Sequence, residues 1–387
     1  MQGFLMVLFF GLCYISSSPQ SASAAIFDVM AYGAKGDGNT DDTIAFVRAW
    51  AGLCSDTSRK PTMIIPPRKL FLIRPVTFSG PCKSPAVNVQ LLGSIVAPKT
   101  LYGWKGWAKN GFWLGFNLIQ GLTIKGPGQI NGRGSMWWGN KALHFNGCEG
   151  LRLSDTTHVD SPSLHISIVN CRNVDIGFLR ILAPADSPNT DGIDLSVSSQ
   201  INIHDSNIRT GDDCVAINGG IYDINVTRVN CGPGHGISIG SLGENRRHDT
   251  VEKVRVRNCN MTGTTNGLRI KTVPGGSGYA RGIVFQDIHM VNVENPIIID
   301  QHYCTNNANG FCPAPPTLSA VQVSDVMYLN IHGSSVSKQA ITFDCSGKYK
   351  CTGIITKQVG ITGQDNFSYC KNTQGKFFST NPIVRCS

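Results

Sequence analysis

Ile201-Asn202-Ile203-His204-Asp205-Ser206 is followed by Ile224-Asn225-Val226-Thr227-Arg228-Val229 and by Val254-Arg255-Val256-Arg257-Asn258-Cys259. Each stretch reads apolar, any, apolar, any, any, then a small or apolar residue. Period-2 alternation over so few residues makes a short strand with one face inward. The same register recurs outward from this centre. Upstream it is carried by Leu122/Ile124, Leu151/Leu153/Thr156 and Val174/Ile176/Leu179. Downstream it is carried by Ile283/Phe285/Ile288, Val321/Val323/Val326 and Ile354/Thr356/Val359. The returns lie 23 to 38 residues apart, as loop insertions on a constant coil would space them. Sandwich strands return every ~8–12 residues, and no 10–15-residue amphipathic helices alternate with these strands. The expected fold is all-β, a single-domain right-handed parallel β-helix.

An open coil end exposes apolar side chains and unpaired backbone, so it needs a cap. Residues 40–54 supply a short N-terminal capping helix, with Thr40 or Asp41 as N-cap. Its expected inward stripe is Ile44, Val47, Ala51 and Cys54, widened by Phe46 and Trp50. Beyond about residue 340 a Cys-rich segment is expected to cover the other end.

Residues 1–24 read as a secretory signal peptide, with an apolar run from Gly3 to Ile15 and Ala22-Ser23-Ala24 as cleavage site. Residues 25–387 then form the β-helix domain. The apolar run is short for a membrane span, and no later segment qualifies. Of the 14 cysteines, Cys13 leaves with the signal. Neighbouring pairs suggest bridges Cys54–Cys82, Cys214–Cys231, Cys304–Cys312, Cys345–Cys351 and Cys370–Cys386. Cys259 falls on an inward position and reads as a buried thiol. Cys148 and Cys171 stack on adjacent rungs, as a ladder or a bridge. Sequons at Asn225, Asn260 and Asn366 fit a secreted glycoprotein. The net charge of +9 suggests an acidic partner.

The chemistry concentrates in four motifs: Asn189-Thr190-Asp191, Gly211-Asp212-Asp213, Gly234-His235-Gly236 and Arg269-Ile270-Lys271. Asp191, Asp213 and His235 are each 22 residues apart, about one coil. The groups therefore share one wall on successive coils, ~4.8 Å apart. Three carboxylates so close cannot all ionise freely, which leaves a proton donor beside ionised acceptors. Glycosidic cleavage needs that arrangement. Arg269 and Lys271 alternate onto one face of a strand and suit a substrate carboxylate. A calcium site is the rival reading of the acids, opposed by the adjacent cations. Zinc-type Cys/His spacing and a phosphate-binding loop are absent. The basic run Arg246, Arg247, Lys253, Arg255 and Arg257 lacks interleaved aromatics and does not read as a nucleic-acid patch.

With these four motifs in this order, the chain resembles the polygalacturonases, pectin-degrading glycoside hydrolases built on a right-handed parallel β-helix. The stretch Phe27 to Thr43, FDVMAYGAKGDGNTDDT, is similar to the start of plant members. The resemblance implies inverting hydrolysis of α-1,4-galacturonosidic bonds without metal or organic cofactor. It implies Asp212 as general acid, Asp191 and Asp213 as activators of water, and His235 as a tuner of their protonation. Arg269, Lys271 and Tyr303 would bind substrate. It further implies a secreted, cell-wall enzyme acting on pectin, without nucleic-acid or membrane partners. A monomer and internal cleavage are expected, with loops 95–115, 241–250 and 303–316 deciding how the cleft closes. The alternatives are release from chain ends and a catalytically silent pectin-binding wall protein.

Overall fold

The computed structural model describes residues 25–100, 111–134, 141–304 and 320–387. The expected signal peptide, Cys312 and parts of the two loops at 101–110 and 305–316 lie outside the described residues. Among the described residues every strand pairing is parallel, and the strands form one ladder of nineteen and one of eleven. The chain winds as the expected right-handed β-helix. In early coils the larger ladder is contributed as two separate short strands, such as Arg172–Gly177 and Arg180–Leu182. From Ser199–Arg209 onward one long strand pairs with both.

The repeat register is what the coils share. Val174, Ile201, Ile224, Val254 and Ile283 stack in order, and all are buried. One return needs correction. Ile283, Phe285 and Ile288 face Val326, Tyr328 and Ile331, not Val321, Val323 and Val326. All of these side chains are buried, so alternation alone could not choose between the two registers. The strand that follows fixes it, with Ile354 on Val326 and Val359 on Ile331.

The cap helix spans Thr43–Ser55, but it buries a different face from the one expected. Ala45, Phe46, Ala49, Trp50 and Leu53 point inward, while Ile44 is 59% and Val47 39% exposed. The aromatics decide this, because they remove the most apolar area from water. Phe46 meets Phe71 edge-on at 5.4 Å, and Trp50 packs on Phe78 at 5.3 Å and Phe116 at 5.8 Å. The Trp50 indole N–H donates to the Ser79 carbonyl at 3.1 Å. The N-cap is Asp42 rather than Thr40 or Asp41. Its carboxylate is turned back to accept from the Lys35 and Gly36 amides, tying the entry chain to the helix. At the other end, residues beyond 340 are not a separate plug. They add further rungs, through strands Gln339–Asp344, Cys351–Thr362, Phe367–Lys371 and Thr373–Asn381.

Four expected bridges are present: Cys54–Cys82, Cys214–Cys231, Cys345–Cys351 and Cys370–Cys386. Cys304 is disulfide-bonded as well. Cys148, Cys171 and Cys259 are free and buried. The first two form a ladder rather than a bridge, the Cys148 amide donating to the Cys171 Sγ at 3.3 Å.

The helix face separates two substitutions of similar size. Phe46→Ala is expected to cost about 3–5 kcal/mol of stability, whereas Ile44→Ala stays within about 0.5 kcal/mol. Urea unfolding of both variants checks this, and equal losses would contradict the observed helix face.

Candidate active site

The eleven-stranded ladder carries the site. Each of its strands is entered through a turn, and those turns present the acids. Ile193, Val215, Ile237 and Leu268 stack inward on successive coils. Asp191, Asp213 and His235 each stand two residues before their coil's inward residue. The turns are cross-braced. Thr190 is buried, and its Oγ1 accepts from the Gly211 amide of the next coil at 3.0 Å. The Cys214–Cys231 bridge clamps the following turn. Gly236 has φ +80°, and a Cβ there would lie 2.1 Å from the Asn266 carbonyl oxygen, so a side chain at this position would push two coils apart.

Asp213 lies at the bottom, its side chain 2% exposed. Oδ1 accepts from the Arg269 guanidinium at 2.8 Å and from the Ser238 hydroxyl at 2.6 Å. Oδ2 accepts from Lys271 Nζ at 3.1 Å. Ser238 Oγ in turn accepts from Arg269 Nε at 3.0 Å. Arg269 and Lys271 extend outward from strand Asn266–Thr272, while Ile270 between them faces the core. Asp212 lies nearer the mouth. Its Oδ1 accepts from the Asp213 amide at 2.8 Å and meets His235 Nδ1 at 2.9 Å. The Tyr303 ring closes one side, with Lys271 Nζ 5.3 Å and the Arg269 guanidinium 6.0 Å from its centroid.

The carboxylates are driven apart in proton affinity. Burial, then the charges of Asp212, Asp213 and Asp194, holds the Asp191 carboxyl well above the usual carboxylate range, with Lys271 opposing. Burial pulls Asp212 upward too, but the hydrogen bond and charge of His235 outweigh it, so its proton affinity falls below the ordinary value. Beneath Asp191 sits His165, whose amide donates to the Asp191 carbonyl at 2.8 Å. Burial lowers its imidazole to about 4, leaving a neutral floor under the acids.

The cleft holds about 800 Å³ of free space and gathers all seven residues expected at the site: Asp191, Asp212, Asp213, His235, Arg269, Lys271 and Tyr303. It also holds groups that the sequence reading missed. Asp194 accepts from the Asn218 amide at 2.7 Å, and Ser238 holds Asp213 and Arg269 together. Asp194 and Ser238 are outward residues of strands in the site ladder, and Asn218 follows the end of one, so strand alternation was the signal that could have found them. Glu244 and Arg247 reach the cleft from the 241–250 loop. Ligand atoms of Asp212, Asp213 and His235 lie within 4.8 Å of one another. A metal there would compete with two cations already paired with Asp213.

Paired carboxylates of unequal proton affinity in a polar cleft are the equipment of a glycoside hydrolase. The family comparison agrees: the chain belongs to the glycosyl hydrolases family 28, whose model matches residues 54–381. The resemblance to plant polygalacturonases is borne out. A protein named "Probable polygalacturonase" from Arabidopsis thaliana is 47% identical, over 94% of this chain and 81% of its own length. A polygalacturonase from Malus domestica is 42% identical, over 92% of this chain and 78% of its own. Among solved structures, the endo-xylogalacturonan hydrolase of Aspergillus tubingensis superposes with a TM-score of 0.76 at 21% identity, covering 94% of this chain and 99% of that one. The polygalacturonase of Erwinia carotovora gives 0.70 at 23%, covering 93% and 98%. Both share the β-helix.

The raised Asp191 has a stability consequence. The folded protein keeps a proton there that the unfolded chain releases above its ordinary value of 3.8. Stability therefore falls as pH rises from that value toward the raised folded one. Asp191→Asn removes this loss. Its melting temperature should exceed the parent's near neutral pH, with the gap closing at about pH 4. Melts of both proteins across that range check it, and a gap independent of pH would refute it.

Proposed function

We propose that the chain is a single-domain, secreted polygalacturonase that hydrolyses α-1,4 links in de-esterified pectin with inversion. The observation that carries this reading is the placement of Asp212 and Asp191 beside an Asp213 already paired with Arg269 and Lys271. An acidic polysaccharide brings a carboxylate on every sugar, and these two cations are the natural partners for the carboxylates flanking the cleaved bond. Tyr303, stacked against both, would fix the pose.

Asp212 is assigned as general acid. In the empty cleft His235 keeps it ionised, and the proton of the coupled set resides on Asp191. Substrate excludes water from Asp212 and adds negative charge, and both raise its proton affinity. The proton then shifts from Asp191 to Asp212, so the acid is armed as the base is uncovered. Asp212 protonates the leaving oxygen, and Asp191 with Asp213 orients and deprotonates the attacking water. Both oxygens of Asp213 are engaged by cations and a hydroxyl, so it is a poor nucleophile, which supports inversion over a covalent intermediate. Strands of the same ladder continue beyond the cleft on both sides, which supports internal cleavage of a long chain lying across it. The expected secretion and cell-wall location accord with an acidic polymer substrate and the chain's positive charge.

Asp212→Asn is expected to lower turnover on polygalacturonate by about 10²–10⁴-fold while retaining binding. In the parent enzyme, saturated products that persist in chelator, with the configuration inverted in the initial product by NMR, are the predicted outcome. Mixed oligomers with rapid viscosity loss would mark internal cutting. Binding without any new reducing ends would sink the hydrolase reading and leave a wall-binding protein.

A further inference from the structure

The turns that lead into the site ladder continue toward the N-terminus, and their residues change from acids to bases. The strand Leu70–Leu72 stacks on Ser94–Val96, then Gln129–Asn131, Thr157–Val159, Arg180–Leu182 and Asn207–Arg209. The turn after the last of these carries Asp212 and Asp213. The turns after the first three carry Arg74, Lys99 and Arg133. The register agrees on the site ladder itself. Arg74 stands two residues before Val76, as Lys141 does before Leu143 and Asp191 does before Ile193.

Arg74, Lys99 and Arg133 line one open cavity of about 600 Å³, with Asn39 and Thr100 on its rim. Lys99 is exposed and Arg133 half-buried. One guanidinium nitrogen of Arg133 donates to the Ala97 carbonyl at 2.9 Å, which fixes the group in place. Arg74 is paired with Asp41 at 2.9 Å, so the cavity keeps a positive surplus through Lys99 and Arg133. Lys141 stands half-buried on the coil of Arg133, close enough to Asp194 in the cleft to act on its proton affinity. Two acids, Asp160 and Asp186, occupy the turns between, and burial raises the proton affinity of Asp160.

Resting on the polygalacturonase reading above, we propose that Arg74, Lys99, Arg133 and Lys141 form a distal cradle that holds remote carboxylates of the same polygalacturonate chain. Successive turns are ~4.8 Å apart, close to the length of one extended sugar residue. The turn of Arg133 lies three coils from that of Asp213, and the turn of Arg74 lies five. A chain seated at Arg269 and Lys271 would therefore need several further sugars to reach the cradle. Long substrates would engage it, and the shortest would not.

The test compares de-esterified polygalacturonate with trigalacturonate for the parent enzyme, Lys99→Glu, Lys99→Arg and the double variant Lys99→Ala/Lys141→Ala. For Lys99→Glu and the double variant, the ratio of kcat/KM on polymer to that on trimer should fall about three- to tenfold at low salt. Most of that difference should vanish at high ionic strength, and Lys99→Arg should restore the parent ratio. An unchanged ratio, or equal losses on both substrates, would overturn the cradle. Mobility in gels containing polygalacturonate reads binding without turnover. If the parent enzyme proves not to hydrolyse the polymer, the polygalacturonase reading fails while this retardation still decides for or against the cradle.

Discussion

The constraint on which everything else depends is that each coil must set its inward side chains on those of the coil before. Ile193 on Ile166, Val215 on Ile193 and Ile237 on Val215 form a column that cannot slip by one residue without turning its apolar set to water. Once that column is fixed, a residue two positions upstream of it is fixed as well. Asp191, Asp213 and His235 occupy this position on three consecutive coils. The geometry of the site is therefore a by-product of core register. The turns are free to vary in length, because an insertion is absorbed between strands without moving the column.

The cleft also has to accommodate charge. Asp213 is almost fully enclosed, and an isolated carboxylate there would be strongly disfavoured. Two cations and a hydroxyl compensate it, and Arg269 and Lys271 are themselves shielded from water. Removing one partner from such a cluster leaves an unbalanced buried charge, which is strongly destabilising. Asp191 has no such partner at hydrogen-bonding distance among the described residues. The same desolvation raises its proton affinity instead. The two neighbouring acids thus differ in one respect, the cations that pair directly with Asp213 and not with Asp191.

Much of this was legible in the sequence, for physical reasons that differ by element. The repeat could be read because inward positions alternate strictly and the chain has few helices to confuse the period. It misled at Val321, where alternating apolar residues run past the end of the repeat and two registers bury equally well. The cap helix was legible as a helix but not as to its face. Its apolar residues almost encircle it, and only the aromatic partners Phe71, Phe78 and Phe116, contributed by other coils, decide which side goes in. Asp191, Asp213 and His235 could be read together because they sit at coil spacing, and Arg269 and Lys271 because they alternate on one strand, whereas Tyr303 came only from the family resemblance. Ser238, Asp194 and Asn218 carry no motif, and what makes them matter is the neighbour each meets across the ladder.

The same separation between an inward column and an outward surface bears on how substrate length enters. An outward residue of a parallel ladder is free to change without disturbing the core, yet its spacing along the axis is set by the core. Functional groups on this face therefore come at regular intervals whatever their chemistry. A polymer with one charge per sugar presents charges at nearly the same interval. Between Arg74 and Lys271 the turn face runs from bases through the acid cluster to bases again. On the proposed reading, such an order would let a polyanion be held on both sides of the acid cluster. Arg269 and Lys271 stand within the acid cluster, paired with Asp213, so on the proposed reading a substrate carboxylate that meets them competes with that acid for the same cations.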